Sequence, residues 1–439
     1  MMRKIVVCCC CLVIALSSSL ETRCADKRGN TSTSPAGYLN AELPSWLKFS
    51  AEERMRVETL AGVQFRAKDN TYLLHRMRLS LDATPLDSLR FFLQAQDARV
   101  FFTNVTPPPS TQKDPIDLRL GYVELGNRET RALTLRAGRQ GLEFGEGRLL
   151  SDGNWSNVGR TFDAARLTVR SKRMQLDAFS GVSDKIAIDG FAMPTPGEHF
   201  HGLYASFAKL APAAVVEPYA FWKLEHGVKG EIGRSGNLDE KTAGVRWAGS
   251  LPDRFDYGME AAIQRGSYAG EPLSAWAAHT MLRYSGRNAR HAPKAWVELN
   301  RGSGDSDAKD GRHEAFDTLF PGNHDKVGAA DQFCWTNLTH ARAAFQQKAG
   351  AGVSFGAAEN WLWLTNRRDG IYGSGKVTIA SNGLEGNFIG HEPDVQAKWK
   401  VSRLTQLEFT AGHVFAGHFL RATNHTGMNS VVVSVSQGF

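Results

Sequence analysis

The sequence predicts an all-β protein, a single transmembrane antiparallel β-barrel of about 18 strands behind a cleaved signal peptide. Three observations predict it. From about Arg56 to Phe439, short segments alternate apolar and polar positions between clusters of Gly, Pro, Asn or Asp, the period of a strand with two unlike faces. One apolar run, residues 5–20, follows Arg3 and Lys4 at the N-terminus and leads into Ser17-Ser18-Ser19, the order of a secretory signal. The chain ends on an alternating strand, with Val431, Val433 and Val435 facing one way up to a terminal Phe439, the form of a recognition strand for outer-membrane assembly.

Composition excludes the helical alternative. Of 439 residues 42% are hydrophobic, and mean hydropathy is -0.32. A multi-span helical protein needs several apolar runs of about 20 residues. Residues 1–25 are expected as signal peptide, 26–55 as an irregular leader and 56–439 as the barrel. Five of the six cysteines lie in or beside the signal, leaving Cys334 as the one well inside the mature chain, so neither a disulfide scaffold nor a CxxC site is expected. Cleavage after Ala25 removes Arg3, Lys4 and Arg23 against Glu21, lowering the net charge from +7 to +5. That excess is too mild to indicate nucleic acid, and none is expected as a partner.

Five segments show the two faces. Leu73, Met77, Leu79 and Leu81 oppose Arg76, Arg78, Ser80 and Asp82; Leu89, Phe91, Leu93 and Ala95 oppose Arg90, Phe92, Gln94 and Gln96. Leu118, Leu120 and Tyr122 oppose Asp117, Arg119 and Gly121; Leu133, Leu135 and Ala137 oppose Thr134, Arg136 and Gln140; Ala165, Leu167 and Val169 oppose Arg166, Thr168 and Arg170. The first face suits hydrocarbon. The second cannot enter a dry core, because unpaired guanidinium groups there cost several kcal/mol each, roughly. A soluble sandwich also alternates, but an even count of about 18 segments and aromatics near segment ends favour the membrane barrel. Those aromatics are Tyr122, Trp155, Tyr219, Trp222, Trp247, Tyr257, Trp276 and Tyr284. Segments 104–115, 183–199, 226–240, 302–332 and 366–390 are expected as external loops or plugs.

The block Gly138-Arg139-Gln140-Gly141-Leu142-Glu143-Phe144-Gly145, continuing to Asn154-Trp155-Ser156-Asn157-Val158-Gly159-Arg160-Thr161-Phe162-Asp163, resembles the alginate-export (AlgE-like) outer-membrane barrels. So do Phe320-Pro321-Gly322-Asn323-His324-Asp325 and Ile389-Gly390-His391-Glu392-Pro393-Asp394. The resemblance implies an 18-stranded barrel whose arginine-lined lumen passes an anionic polysaccharide, with room for a periplasmic export partner. Arg139, Arg160 and Asp163 match its motif positions. By parity Arg139 falls on the face of Leu133 and Leu135, which fits a strand end or loop.

The residues themselves place Arg76, Arg78, Arg90, Arg119, Arg136, Arg166 and Arg170 on the inward face, opposite a mixed wall bearing Asp256, Glu260, Glu298, Glu408, Arg246 and Arg283. Together with Arg139, Arg160 and Asp163 the seven arginines form the expected path for an anionic polysaccharide or oligosaccharide, since a guanidinium fork holds both carboxylate oxygens and stays charged. Structural pairing with neighbouring acids is the plainer reading of the same arginines. An anion-preferring general porin, an outer-membrane enzyme and a soluble exported β-protein stay open as alternatives, although no Ser/His spacing recommends a catalytic pair.

Other motifs are weak. Gly370 to Lys376 nearly spells a phosphate loop, but Val377 stands where the Mg-binding hydroxyl belongs. Asp305, Asp307 and Asp310 imitate a calcium loop with one residue too many, and Phe316 stands where Glu should. His199 and His201 share a face without an evident third ligand. Glu143, Glu146 and Asp152 could be glycosidase carboxylates, but Arg139 and Arg148 nearby favour charge pairs. No cofactor is expected, and outer-membrane lipid and the assembly machinery that reads Phe439 complete the expected partners.

Overall fold

The computed structural model describes residues 34–126, 132–188, 190–210, 213–288, 290–324, 326–350, 352–373 and 375–439. The expected signal peptide lies outside the described residues. Eighteen antiparallel strands form one closed wall. In chain order they are β1 (Leu47–Ala61), β2 (Asp69–Leu86), β3 (Leu89–Phe101), β4 (Asp114–Leu125), β5 (Leu133–Gln140) and β6 (Phe162–Arg170). Next come β7 (Met174–Lys185), β8 (Glu198–Ala208), β9 (Ala214–Lys229), β10 (Ser235–Leu251), β11 (Phe255–Tyr268) and β12 (Glu271–Ser285). The ring is completed by β13 (Lys294–Gly302), β14 (Leu338–Gly350), β15 (Val353–Leu364), β16 (Phe388–Lys400), β17 (Thr405–Ala416) and β18 (Met428–Gly438).

Each strand pairs with the next, and β18 returns to β1 with Glu52 opposite Gly438 and Ala61 opposite Asn429. Closure leaves no open edge, which is what a lipid-facing sheet requires. One end carries tight turns, such as 87–88, 171–173 and 401–404; the other carries 141–161, 303–337 and 365–387. Short turns mark the periplasmic end of such barrels. No helix among the described residues is long and apolar enough to cross a membrane, so the wall crosses with strands.

The outer face is apolar, as the alternation requires. Leu79, Leu93, Leu118, Leu135, Leu203, Met259, Val297 and Phe409 all stand exposed on it. In water so broad an apolar belt would drive association; in a bilayer it is the contact surface. Trp222, Trp247, Trp276 and Tyr284 are exposed at its margins. Tyr122, Trp155 and Tyr219 correct the expected aromatic girdle, because all three lie inside.

For Tyr122 the cause is a β-bulge. Opposite Gln94 and Ala95, the register of β4 steps from Leu120 to Leu118, so one extra residue inverts every face beyond it. Tyr122 therefore turns inward with Glu124, against the expected pairing of Leu118, Leu120 and Tyr122 on one face.

The expected leader is also corrected. The wall begins at Leu47, not at residue 56, and is preceded by α1 (Pro35–Glu42), capped by Ser34, whose hydroxyl accepts from Gly37 N at 3.0 Å. Asn40 exchanges two 2.7 Å hydrogen bonds with the Phe49 backbone, fixing α1 at the foot of β1. The alternation of β1 was masked because Glu53 interrupts the outer face, where it meets His75 at 3.0 Å. The expected loop 226–240 shrinks to 230–234, since β9 and β10 run through most of it.

The interior is packed. Loops 141–161 and 303–337 fold inward and meet through backbone bonds, Ser151 N to Phe320 O at 2.9 Å and Gly322 N to Gly147 O at 2.8 Å. Leu142, Leu149, Leu150, Phe316 and Phe320 from these loops bury against Phe162, Phe179, Phe200 and Phe221 of the wall. A second core gathers Phe65, Phe333, Leu362, Leu364, Ile371, Ile389, Phe419 and Leu420. The lumen thus holds an apolar filling in addition to its charges.

The wall assignment predicts that Leu167→Arg, on the lipid face of β6, destabilises the folded protein by about 2–4 kcal/mol if it lies near the bilayer midplane. Urea unfolding in lipid vesicles measures the loss.

Candidate functional site

β1, β2 and β4 direct Arg54, Arg56, Arg76, Arg78 and Arg119 inward, and all five converge on the descending loop 152–159. Arg54 donates to Asn154 O at 3.2 Å and Ser156 O at 2.8 Å. Arg56 donates to Trp155 O at 2.6 Å, pairs with Glu58 at 2.6 Å and lies 4.2 Å from the centre of the Trp155 ring. Arg76 joins Glu52 at 2.5 Å and Asn154 O at 3.1 Å. Arg78 reaches Asn154 Oδ1 at 2.6 Å and Gln96 at 2.7 Å, and Arg119 reaches Gln94 at 3.0 Å and Asp152 at 3.4 Å.

Gly159, at φ 84°, lets the loop approach this closely: a Cβ there would sit 3.2 Å from Arg119 and 3.4 Å from Arg78. Five guanidinium groups meet three carboxylates, Glu52, Glu58 and Asp152, and otherwise neutral carbonyl and amide oxygens. Nε of Arg54, Arg76 and Arg119 finds no acceptor among the described residues.

The other path residues separate into two groups. Arg90 with Asp82 (2.8 and 2.6 Å), Arg136 with Glu124 (2.8 and 2.6 Å), Arg166 with Asp177 (2.9 Å) and Arg170 with Gln175 (2.7 Å) face inward toward the short-turn end. Arg136 also lies 4.2 Å from the Tyr122 ring, a contact that exists because of the bulge. Arg139 and Asp163 do not join them. They form a 3.0 Å ion pair on the outward parity of β5 and β6, where Arg139 also holds Asp184 at 3.1 Å and Ala192 O at 3.1 Å. Arg160 sits within the inward loop, donating to Ser151 O and Pro321 O at 3.1 and 3.3 Å. Arg54 falls at the end of the expected leader and Arg56 at the first residue of the expected barrel, which hid both, although their spacing of two beside Arg76 and Arg78 is a usable signal.

The far wall is mixed, as expected. Arg246 pairs with Glu217 at 2.5 Å and Glu146 at 3.0 Å, and Arg283 pairs with Asp256 at 3.0 Å. A cavity of about 340 Å³ opens between Arg148, Arg283, Lys294, Lys326 and Arg342 on one side of the balance and Glu146, Glu298 and Asp394 on the other. Burial favours the neutral acid at Glu146, but Arg148 and Arg246 outweigh it and hold its carboxyl at about 2. Burial and the adjacent Asp152 push Glu143 above the ordinary carboxylate range. Thus Glu146 and Asp152 make charge pairs with arginines, while Glu143 takes the Ser151 hydroxyl at 3.4 Å.

Trp155 joins the two inward loops. Its ring stacks on His324 with centroids 3.4 Å apart, and Asp331 accepts from Trp155 Nε1 at 2.9 Å and pairs with His324 at 2.8 Å. The near-phosphate loop is a small hairpin, Ile371–Gly373 against Lys376–Ile379. His199 and His201 lie on the outward parity of β8 with rings 6.4 Å apart. The calcium-like run does not converge: Asp307 and Asp310 accept from the backbone of Lys309 and Arg312, at 3.2 and 2.9 Å.

Among solved structures the fold is similar to OccAB1 of Acinetobacter baumannii, with a TM-score of 0.61 at 13% identity over 90% of this chain and 96% of that one. OccAB2 of Acinetobacter baumannii gives 0.60 at 12% identity, over 89% and 98%. OpdL of Pseudomonas aeruginosa gives 0.58 at 10%, over 90% and 99%. At such identity these likenesses speak for the architecture alone. No curated protein matches the sequence. The family described as alginate export matches residues 45–434, which begin two residues before β1 and end inside β18. An eighteen-stranded outer-membrane wall around a charged, loop-filled lumen is therefore the form taken here by a channel protein that belongs to the alginate-export family.

Proposed function

We propose that the channel passes acidic saccharides of the uronate type, from single units to oligosaccharides, by exchange along its arginines. The observation that carries this reading is the five-arginine cluster, whose charge exceeds that of its carboxylates and whose Nε groups at Arg54, Arg76 and Arg119 lack acceptors among the described residues. A sugar carboxylate offers two charged oxygens to a guanidinium fork and competes with the neutral carbonyls of residues 154–156. The open Nε groups give the anion a first hold, and each Nη contact it then gains is one the loop loses, so full entry of the anion displaces the loop. Arg90, Arg136 and Arg170 continue the inward face beyond the loop, each already tied to a side chain that shares its guanidinium. Such shared partners keep any one anion from being held too tightly to leave.

Single-channel recording in a planar bilayer under a KCl gradient tests the reading. An anion-selective reversal potential is expected, with block by added oligouronates that weakens about tenfold or more in Arg76→Ala and Arg78→Ala, the loss of roughly one charge-assisted contact. A cation-selective channel, or block unchanged in both variants, refutes it.

The loop itself yields a second expectation. Trp155→Ala removes the Arg56 cation–π contact and the His324 stack, together about 1.5–2 kcal/mol. The open dwell fraction should rise at least tenfold, roughly, in the same recordings.

A further inference from the structure

We propose that Glu231, Asp305 and His313 form a site for a divalent transition metal, zinc fitting best, at the wide rim of the barrel. Glu231 stands on the short β9–β10 connection, while Asp305 and His313 belong to the inward loop 303–337. One ligand atom from each lies within 4.8 Å of the other two. These residues come from chain segments more than 70 apart, so the fold itself assembles them.

The Glu231 side chain is only 9% exposed and its Oε2 has no hydrogen-bond partner among the described residues, while His313 places Nδ1 3.8 Å from Glu231 Oε1 and Nε2 3.4 Å from Glu271 Oε2. The His313 ring is set in place by Tyr268, with centroids 4.1 Å apart. Glu271 accepts from Glu231 N at 2.8 Å and Ile232 N at 3.1 Å, which fixes the hairpin tip that presents Glu231. The Asp305 oxygens accept from Asp307 N at 2.9 Å and Glu314 N at 3.3 Å, each keeping a second lone pair. Among the described residues no Lys or Arg forms an ion pair with either Glu231 or Asp305, so the buried Asp305 and the half-buried Glu231 face each other with only the His313 imidazole beside them.

The donor types choose the metal. Calcium and magnesium take oxygen shells, whereas one imidazole nitrogen with two carboxylates suits zinc and its first-row neighbours. Three protein donors leave a fourth position for water. Bound there, the ion ties loop 303–337 to the rim at one end, while Phe316 and Phe320 of the same loop are packed in the lumen.

Zinc alone, titrated by calorimetry into the refolded chain from Asp26 onward, free of the cysteines at positions 8–11 and 24, tests the site. One zinc per chain is expected, with His313→Ala and Asp305→Asn each weakening binding about 100-fold or more. The double variant His199→Ala/His201→Ala, on the outer wall, should bind as the parent does. His313→Gln, an acyclic amide of similar volume without the imidazole, guards against a cavity left by His313→Ala and should also lose zinc, and circular dichroism confirms the fold of each variant. X-ray absorption at the zinc edge should show a single imidazole. Failure of the parent to bind, undiminished binding in His313→Ala, or loss confined to the His199/His201 variant overturns the proposal. None of these outcomes bears on anion selectivity, which is read separately.

Discussion

Ring closure between β18 and β1 is the constraint on which everything else rests. In hydrocarbon an unpaired peptide group costs several kcal/mol, so a sheet can cross a membrane only when its last strand finds its first. The ten-residue pairing from Glu52–Gly438 to Ala61–Asn429 meets that demand. Once the ring is closed, parity, reset at any bulge, commits each residue on it to lipid or to lumen. Outward charges such as Glu53 and His75 or Arg139 and Asp163 pair with each other, and for the many arginines that point inside, the lumen must find partners.

Two devices supply those partners. Toward the short-turn end, acids on neighbouring strands take the arginines, as Asp82, Glu124 and Asp177 do. Deeper in, where β1, β2 and β4 send five guanidinium groups to one place, wall acids are too few, and the chain brings in its own loop to offer carbonyl oxygens. Carbonyls are weaker partners than carboxylates, so the loop is held here less tightly than a set of wall acids would hold it. The same loop also carries Leu142, Leu149 and Leu150 into an apolar core, which gives it a defined resting place.

Much of this was legible in advance. Period-two alternation located the wall, and parity put Arg76, Arg78, Arg119, Arg136 and Arg166 inside. What escaped were events that leave no mark on a single segment. A bulge of one residue inverted Tyr122, and Glu53 on the outer face hid the start of β1. Phe162 and Phe200 face inward onto an apolar filling that only the meeting of two distant loops creates. The rim cluster of Glu231, Asp305 and His313 leaves no mark on the sequence for the same reason: the acids adjacent to Asp305 imitate a calcium loop, while Glu231 stands on another hairpin.

The backbone bonds between loops 141–161 and 303–337 have a mechanical meaning. Their stalks rise from β5–β6 and β13–β14, nearly opposite arcs of an eighteen-strand ring, and the bonds at Ser151–Phe320 and Gly147–Gly322 splice them at the middle. The two loops are thus a tie-beam across the cylinder. Squeezing or stretching the wall, as lateral pressure or a thinner bilayer does, loads that beam directly. A change in the distance between those two arcs therefore falls first on these backbone bonds.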